Sequence, residues 1–312
     1  MPIALGHLAA RVPRSWRRRV PMRMRNALVD RFGHPPKPFD PLDFPRKLNL
    51  GAGWDNRPDY LNVDLNDFHD PDLVGDVRAL TALPSGRYEE IIAQDILEHL
   101  ERADVPVALQ EWRRLLAPGG RLWLRVPDLT SLLSWLRRDD DPERHRQVMH
   151  FLFGTQAYNG DYHHAGFTGV LLSDELHRAG FERVELEIRD DWLWEGDAFA
   201  RDPHADAGPP VATVWSDGFY RREYGEDGTT WRWGAREAVL LLYADAATQH
   251  ELTLTVLTGG VRVNGGGVDR RLEPGAHALT LELEAGANRV RFAADGVQEV
   301  PEDARELAFR LA

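Results

Sequence analysis

The sequence predicts an α/β protein: a doubly wound, largely parallel sheet over residues 46–200, followed by an antiparallel β-sandwich over residues 211–312. Three observations predict it. Short apolar runs alternate with helical patterns through the first region, which is the pattern of a parallel sheet. A loop rich in Asp, Pro, Gly and Ala then occupies residues 196–210 and reads as a linker. Beyond it, apolar residues recur with period two between glycine turns, the pattern of antiparallel strands. The 312 residues, 43% hydrophobic and 28% charged, suffice for two ordinary cores.

Residues 1–45 come first and are basic and proline-punctuated. Arg11, Arg14, Arg17, Arg18, Arg19, Arg23 and Arg25 lie within residues 1–29, with no acid among them. This segment reads either as a strap packed on the next domain with its arginines in water, or as a peripheral contact. The contact would run through residues 11–25 to an anionic membrane surface or a glycan-assembly partner.

The parallel region follows in order. Residues 47–50 and 60–64 are short strands, the second carrying Leu61 and Val63 before Asp64. Residues 90–93 form a third, with the β-branched pair Ile91 and Ile92. Residues 105–116 form a helix with Val105, Leu109, Trp112 and Leu116 on one stripe, stopped by Pro118-Gly119-Gly120. Residues 121–126 alternate as a strand. Helices are expected over 129–138, 143–152 and 168–179, and a last strand over 183–188. In the sandwich, residues 239–243, 251–257, 261–264, 277–283 and 289–293 read as strands. Leu252-Thr-Leu-Thr-Val256 and Leu279-Thr-Leu-Glu-Leu283 are the clearest alternations.

Composition excludes several functions. The net charge of −12 disfavours nucleic-acid binding. The absence of cysteine removes disulfides, thiolate nucleophiles and Cys-ligated zinc, and fits a cytoplasmic setting. No apolar run approaches the ~20 residues of a membrane span, and the N-terminus does not read as a secretory signal.

The chemistry of the first region lies at the expected carboxyl ends of its strands, where open sheets bind ligands. Gly51 and Gly53 sit where the first strand turns toward a helix, letting backbone N–H groups approach a ligand. Asp64, eleven residues after Gly53, is placed to accept ribose hydroxyls. Gly75-Asp76-Val77 is a polar loop suited to an adenine edge, and Gln94-Asp95 closes the third strand. The position three after Gly53 is Asn56, so the G-x-G-x-x-G of a nicotinamide site is missing.

Taken together, Lys47-Leu-Asn-Leu-Gly-Ala-Gly53, Asn62-Val-Asp64, Gly75-Asp-Val77, Ile92-Ala-Gln-Asp-Ile-Leu-Glu-His-Leu100 and Leu115-Leu-Ala-Pro-Gly-Gly-Arg-Leu122 resemble the class I methyltransferases of the type 11 group. The resemblance implies a Rossmann-like sheet with an antiparallel last strand and S-adenosyl-L-methionine as cofactor. By matching position, Leu50, Gly51, Ala52 and Gly53 would pass the methionine part, and Asp64 with Leu65 would hold the ribose. Asp76 and Val77 would meet the adenine. Gln94, Asp95, Ile96 and Leu97 would line the pocket, with His99 at its rim. Glu98 and His99 also read as the start of a helix and a satisfied polar pair.

The acceptor side is expected in Asn159-Gly-Asp-Tyr-His-His-Ala-Gly-Phe167, where related enzymes build it. His163 or His164, with Asp161 beside them, is the candidate base for a hydroxyl acceptor, since an imidazole titrates near neutral pH. The same three residues make a thin ligand set, and no metal is expected.

In the second region, Trp215-Ser-Asp-Gly-Phe-Tyr-Arg-Arg-Glu223, Trp231-Arg-Trp233 and Pro301-Glu-Asp-Ala-Arg-Glu-Leu307 resemble a small β-sandwich appended to bacterial enzymes of surface-polysaccharide and O-antigen assembly. Two readings stand. The aromatics could stack on sugar faces with Glu223 and Arg232 bonding hydroxyls, or they are core residues and Glu–Arg pairs that hold the sandwich shut. The combined expectation is O-methylation of a sugar or glycan hydroxyl. A small natural product or peptide acceptor, and a non-catalytic glycan-binding scaffold, are the alternatives.

Overall fold

The computed structural model describes residues 39–157, 160–202, 209–225, 227–257, 259–300 and 303–311. The arginines of residues 11–25 lie outside the described residues. In chain order the first half contains β1 (Lys47–Leu50), β2 (Leu61–Asp64), β3 (Leu73–Val74), β4 (Tyr88–Gln94), α1 (Val105–Leu115) and β5 (Leu116–Pro127). It continues with α2 (Leu129–Arg138), α3 (Pro142–Phe153), α4 (Gly169–Arg178), β6 (Phe181–Arg189) and β7 (Leu193–Ala200). The strands lie in the order β3-β2-β1-β4-β5-β7-β6. The first five are mutually parallel, and β7 runs antiparallel to both β5 and β6.

Local rules explain these elements. Helix α1 buries Val105, Ala108, Leu109, Trp112 and Leu115 on one stripe, and Trp112 donates from Nε1 to the Val77 carbonyl at 3.0 Å. Alternate β5 residues Leu122, Leu124 and Val126 are fully buried in the same core. On the opposite face of the sheet, Arg121 bonds Asp197 at 2.7 Å and Glu90 at 3.0 Å. Asp128 starts α2 by accepting from Thr130 and Ser131 N–H groups, and Thr168 starts α4 by accepting from Leu171.

Two expectations fail. No helix follows the glycine turn. Only ten residues join β1 to β2, and Asn49 and Asn62 side chains hold that segment as a loop through Asp55 O and Arg57 N. A crossover containing a helix needs a dozen residues or more. Nor are residues 196–210 all loop, because β7 extends to Ala200. Its Gly196 and Asp197 have low strand propensity. Tertiary contacts override it: Asp197 pairs with Arg121, and a Cβ at Gly196 would collide with the Glu185 carbonyl.

The second half contains β8 (Val211–Trp215), β9 (Phe219–Tyr224), β10 (Thr230–Gly234), β11 (Glu237–Ala244), β12 (Thr248–Val256), β13 (Val261–Gly265) and β14 (Val268–Leu272). Next come β15 (Gly275–Leu283), β16 (Gly286–Ala294), β17 (Gln298–Val300), β18 (Asp303–Leu307) and β19 (Phe309–Leu311). One layer of the sandwich is β15-β12-β19-β10-β9. The other, β14-β13-β16-β11-β8, is continuous with the first half. Strand β8 pairs in parallel with β6, so a single 12-stranded sheet crosses both halves. Ala212, Val214 and Leu241 accordingly belong to the first core, while Phe292 and Phe309 stack at 4.9 Å in the second.

Candidate functional site

The carboxyl ends of β1, β2 and β4 converge on the glycine turn. Gly51 and Gly53 have φ of 61° and 52°, a region that favours glycine. A Cβ on Gly51 would also collide with the Ile96 side chain. Asp64 is 5% exposed. Its Oδ2 accepts from Gly53 N at 2.7 Å, its Oδ1 from Asn66 N at 2.7 Å, and His69 Nδ1 lies 3.0 Å from Oδ1. Burial works against this charge, but the hydrogen bonds from His69, Asn66 and Gly53 outweigh it and hold the carboxyl below its usual range. Three of a carboxylate's roughly four acceptor positions are thus taken. Asp64 locks the turn as well as offering an edge to a ligand.

The other expected cofactor residues divide. Leu65 and Trp54 are 64% and 45% exposed at the lip, and Trp54 meets His69 edge-on at 4.9 Å. Gln94, Asp95 and Ile96 are part-exposed at the end of β4. Asp95 has φ 51° and is paired with Arg125, at 2.8 Å from Nε. Asp76 holds Arg78 at 2.6 Å and accepts from its backbone N–H. The Leu50 and Leu97 side chains are fully buried in the core, and Ala52 and Val77 nearly so, so these four support the pocket from beneath and do not line it. These residues fit the cofactor: a Cβ-free turn at Gly51, a carboxylate at the end of β2 and an apolar lip.

The acceptor side holds a cluster that joins distant segments. Residues 97–99 form a 3-10 turn, not the start of a helix. The loop after α3 returns to it through two hydrogen bonds, from His164 N at 2.7 Å and Ala165 N at 3.1 Å to the Glu98 carbonyl. Glu98 is 2% exposed, and its Oε2 has no partner among the described residues. It is not the satisfied polar group expected. Burial, reinforced by Asp95, pushes its carboxyl well above the ordinary range. The His99 and His163 rings meet edge to face at 4.7 Å. Burial lowers the pKa of both, and repulsion from His99 lowers that of His163 further. His99 Nδ1 lies 3.2 Å from Tyr162 O, and His163 Nδ1 lies 2.9 Å from Phe151 O.

The other two acceptor-side candidates sit elsewhere. His164 is exposed and turns to Glu101 at 3.5 Å. Asp161 binds Thr155 and the Ala157 N–H, closing the loop that Gly154 begins at φ 74°. The signal for Glu98 was its position directly after the β4 pocket residues. Its closeness to His163 depends on a loop closure that no local pattern shows.

A second concavity of about 380 Å³ lies at the carboxyl edge of β6 and β8, lined by Glu187, Asp190, Asp191, Trp215, Tyr220 and Arg221 among others. Asp190 and Asp191 have φ of 52° and 66°, the paired positive values of a two-residue hairpin turn. Arg232 and Glu223 are consumed internally. Arg232, 5% exposed, pairs with Glu187 and with Glu185 at 3.2 Å and lies over the Trp215 ring at 4.9 Å. Glu223 accepts from Arg305 at 2.7 Å and Trp233 at 3.0 Å. Glu223 is tied within the sandwich, as the second reading expected, whereas Arg232 ties β10 to β6 of the first half.

Residues 51–124 match the family described as methyltransferase domain. No curated protein matches the chain. Among solved structures, a possible exported protein from Bordetella parapertussis is 17% identical, over 51% of this chain and 63% of its own, with a TM-score of 0.39. The Burkholderia thailandensis 1,6-didemethyltoxoflavin-N1-methyltransferase, solved with S-adenosylhomocysteine, is 18% identical over 65% and 93%, TM-score 0.37. A SAM-dependent methyltransferase from Archaeoglobus fulgidus is 15% identical over 59% and 94%, TM-score 0.37. This chain spans under two thirds of the first of these, and likenesses this low decide nothing about the acceptor. The match to a methyltransferase domain thus runs from the glycine turn after β1 into β5 of a Rossmann-like sheet, over the strands whose carboxyl ends meet that turn.

Proposed function

We propose that the chain methylates a hydroxyl of a sugar or glycan, in surface-polysaccharide or O-antigen biosynthesis. The observation that carries the hydroxyl is the cluster of Glu98, His99 and His163, which follows directly on Asp95 and Ile96 of the cofactor pocket. Bound S-adenosylmethionine supplies an electrophilic methyl group. Gly51 and Gly53 admit its backbone-proximal part, and Asp64 offers its remaining acceptor edge to the ribose. The Glu98, His99 and His163 cluster activates the acceptor hydroxyl, whose oxygen bonds the methyl carbon as the sulfur–methyl bond breaks and whose proton is released. Holding that hydroxyl in line supplies much of the rate.

Support for the sugar comes from the second concavity and from the resemblance of the sandwich. Asp191, and the acceptor positions that Glu187 and Asp190 keep beyond their arginine partners, offer hydrogen bonds to hydroxyls, with Trp215 and Tyr220 lining the same concavity. The concavity shares the carboxyl edge of the sheet with the cofactor pocket, three strands away from β4 at β6. At about 4.8 Å per strand that is roughly 14 Å, so an acceptor anchored there must be extended to reach the methyl group. The basic segment at residues 11–25 fits a peripheral contact at the inner membrane face. No helix among the described residues is long and apolar enough to cross a membrane.

The test is transfer of labelled methyl from S-adenosylmethionine to panels of sugars, glycans, small aromatic natural products and peptides. Label on a sugar hydroxyl is expected. Label only on a natural product or peptide overturns the acceptor, and absence of cofactor binding by calorimetry overturns the enzyme in favour of a scaffold.

A further inference from the structure

In the cluster of Glu98, His99 and His163, both rings present acceptors, and the only proton they could share is one held by the buried Glu98 carboxyl itself. A backbone carbonyl can only accept, so the Nδ1 atoms facing Tyr162 O and Phe151 O must carry the ring protons. Each neutral ring is thereby fixed in the tautomer that leaves a bare lone pair on Nε2. The third member is the Glu98 carboxylate, whose Oε2 is buried without a partner among the described residues. The ligating atoms of the three side chains all lie within 4.8 Å of one another. Lone pairs brought this close, one of them on the fully buried Glu98 and two on half-buried rings, repel unless a proton or a cation sits between them.

We propose that this cluster is a three-ligand site for a divalent first-row transition ion of the Zn²⁺ class, bound by one Glu98 oxygen and the Nε2 atoms of His99 and His163. Two imidazoles with one carboxylate is a known donor set for such ions when a coordination position is kept open. Bonds of roughly 2.0–2.2 Å place tetrahedral ligands about 3.3–3.5 Å apart, so side-chain torsions need to draw the three atoms in by about an ångström. The carbonyl partners on both Nδ1 atoms match the outer support that metal-binding histidines ordinarily carry. Glu98 is anchored in turn, since its own carbonyl holds the loop bearing His163. Asp161 and His164 are not ligands, because they are turned to Thr155 and Glu101. The open position receives the acceptor hydroxyl and lowers its pKa as an ion lowers that of bound water. That last role rests on the proposed hydroxyl transfer, whereas ion binding does not.

The experiment is titration of the chelator-stripped, tag-free full chain with Co²⁺, read as visible d–d absorption, followed by displacement with Zn²⁺. One Co²⁺ per chain, displaced by one Zn²⁺, is expected. Glu98→Gln, His99→Gln and His163→Gln should each weaken binding more than tenfold at unchanged melting temperature, while Asp161→Asn and His164→Ala bind as wild type. Absence of the band in wild-type protein overturns the site, as does an undiminished band in folded His163→Gln. Co²⁺ binding without methyl transfer to any sugar would overturn the acceptor and keep the metal. Sugar methylation by ion-free protein would keep the acceptor and overturn the ion's part in activating the hydroxyl.

Discussion

Asp64 combines two tasks in one carboxylate. It holds the glycine turn through Gly53 N and leaves an edge for the ribose. Asp64→Ala should weaken S-adenosylmethionine binding by ~1.5–3 kcal/mol, the range for hydrogen bonds to a charged group. Calorimetry on the folded variant checks this, and wild-type affinity would remove the ribose role. On the acceptor side, His163→Ala should lower kcat by roughly 10²–10⁴ with little change in cofactor affinity. His164→Ala should stay near wild type, because its ring faces Glu101. Equal losses in both variants would mean that the loop, not the His163 ring, matters. The turn was legible in the sequence because its parts are adjacent along the chain. Choosing between His163 and His164 was not, since neighbouring residues in an extended loop point opposite ways.

At the scale of elements, the β9 and β10 edge of the sandwich is joined to β6 by Arg222 and Arg232 pairing with Glu185 and Glu187. Arg232→Ala should destabilise the fold by about 2–3 kcal/mol, since it strands the part-buried Glu187 and leaves Glu185 with Arg222 alone. Urea midpoints decide this, and a loss under ~1 kcal/mol would reclassify the pairs as surface ones. Burial opposes the Glu185 charge, but Arg222 and Arg232 prevail and hold its carboxyl below the usual range. A lowered folded value means that its contribution is complete above the unfolded carboxylate value of about 4.3 and is lost as pH falls through the lower folded one. Glu185→Gln should therefore be less stable at pH 7 and show a shallower acid limb below about pH 4.5. Parallel slopes in urea titrations across that range would contradict it. The aromatic and charged motif from Trp215 to Trp233 was visible beforehand, but its two readings were separable only by seeing which groups met each other.

Across the whole molecule, the parallel pairing of β6 with β8 makes one sheet of what the sequence divides into two regions. Gly169 at the start of α4 abuts Val214 and Trp194, where a Cβ would crowd both. His177 on α4 bonds Asp245 at 2.7 Å, tying the helix to the sandwich side. A chain ending at residue 210 should thus expose the β6 edge and part of the first core, and aggregate or melt well below the full chain. A soluble 1–210 fragment melting within a few degrees of the full chain would show that the halves are energetically independent.

The sequence by itself determined the order of elements, the cofactor turn and the change from parallel to antiparallel pattern. Each of these is written in periodicity or in residues close along the chain, as in Leu48–Gly53, Asp64 and the α1 stripe. Tertiary structure alone decided that β7 exists despite its glycine and its aspartate, that β8 extends the first sheet, and that Glu98 lies beside His163. Those outcomes rest on pairing and burial between segments far apart in the chain, where local propensity is outweighed by the contacts that the fold brings together.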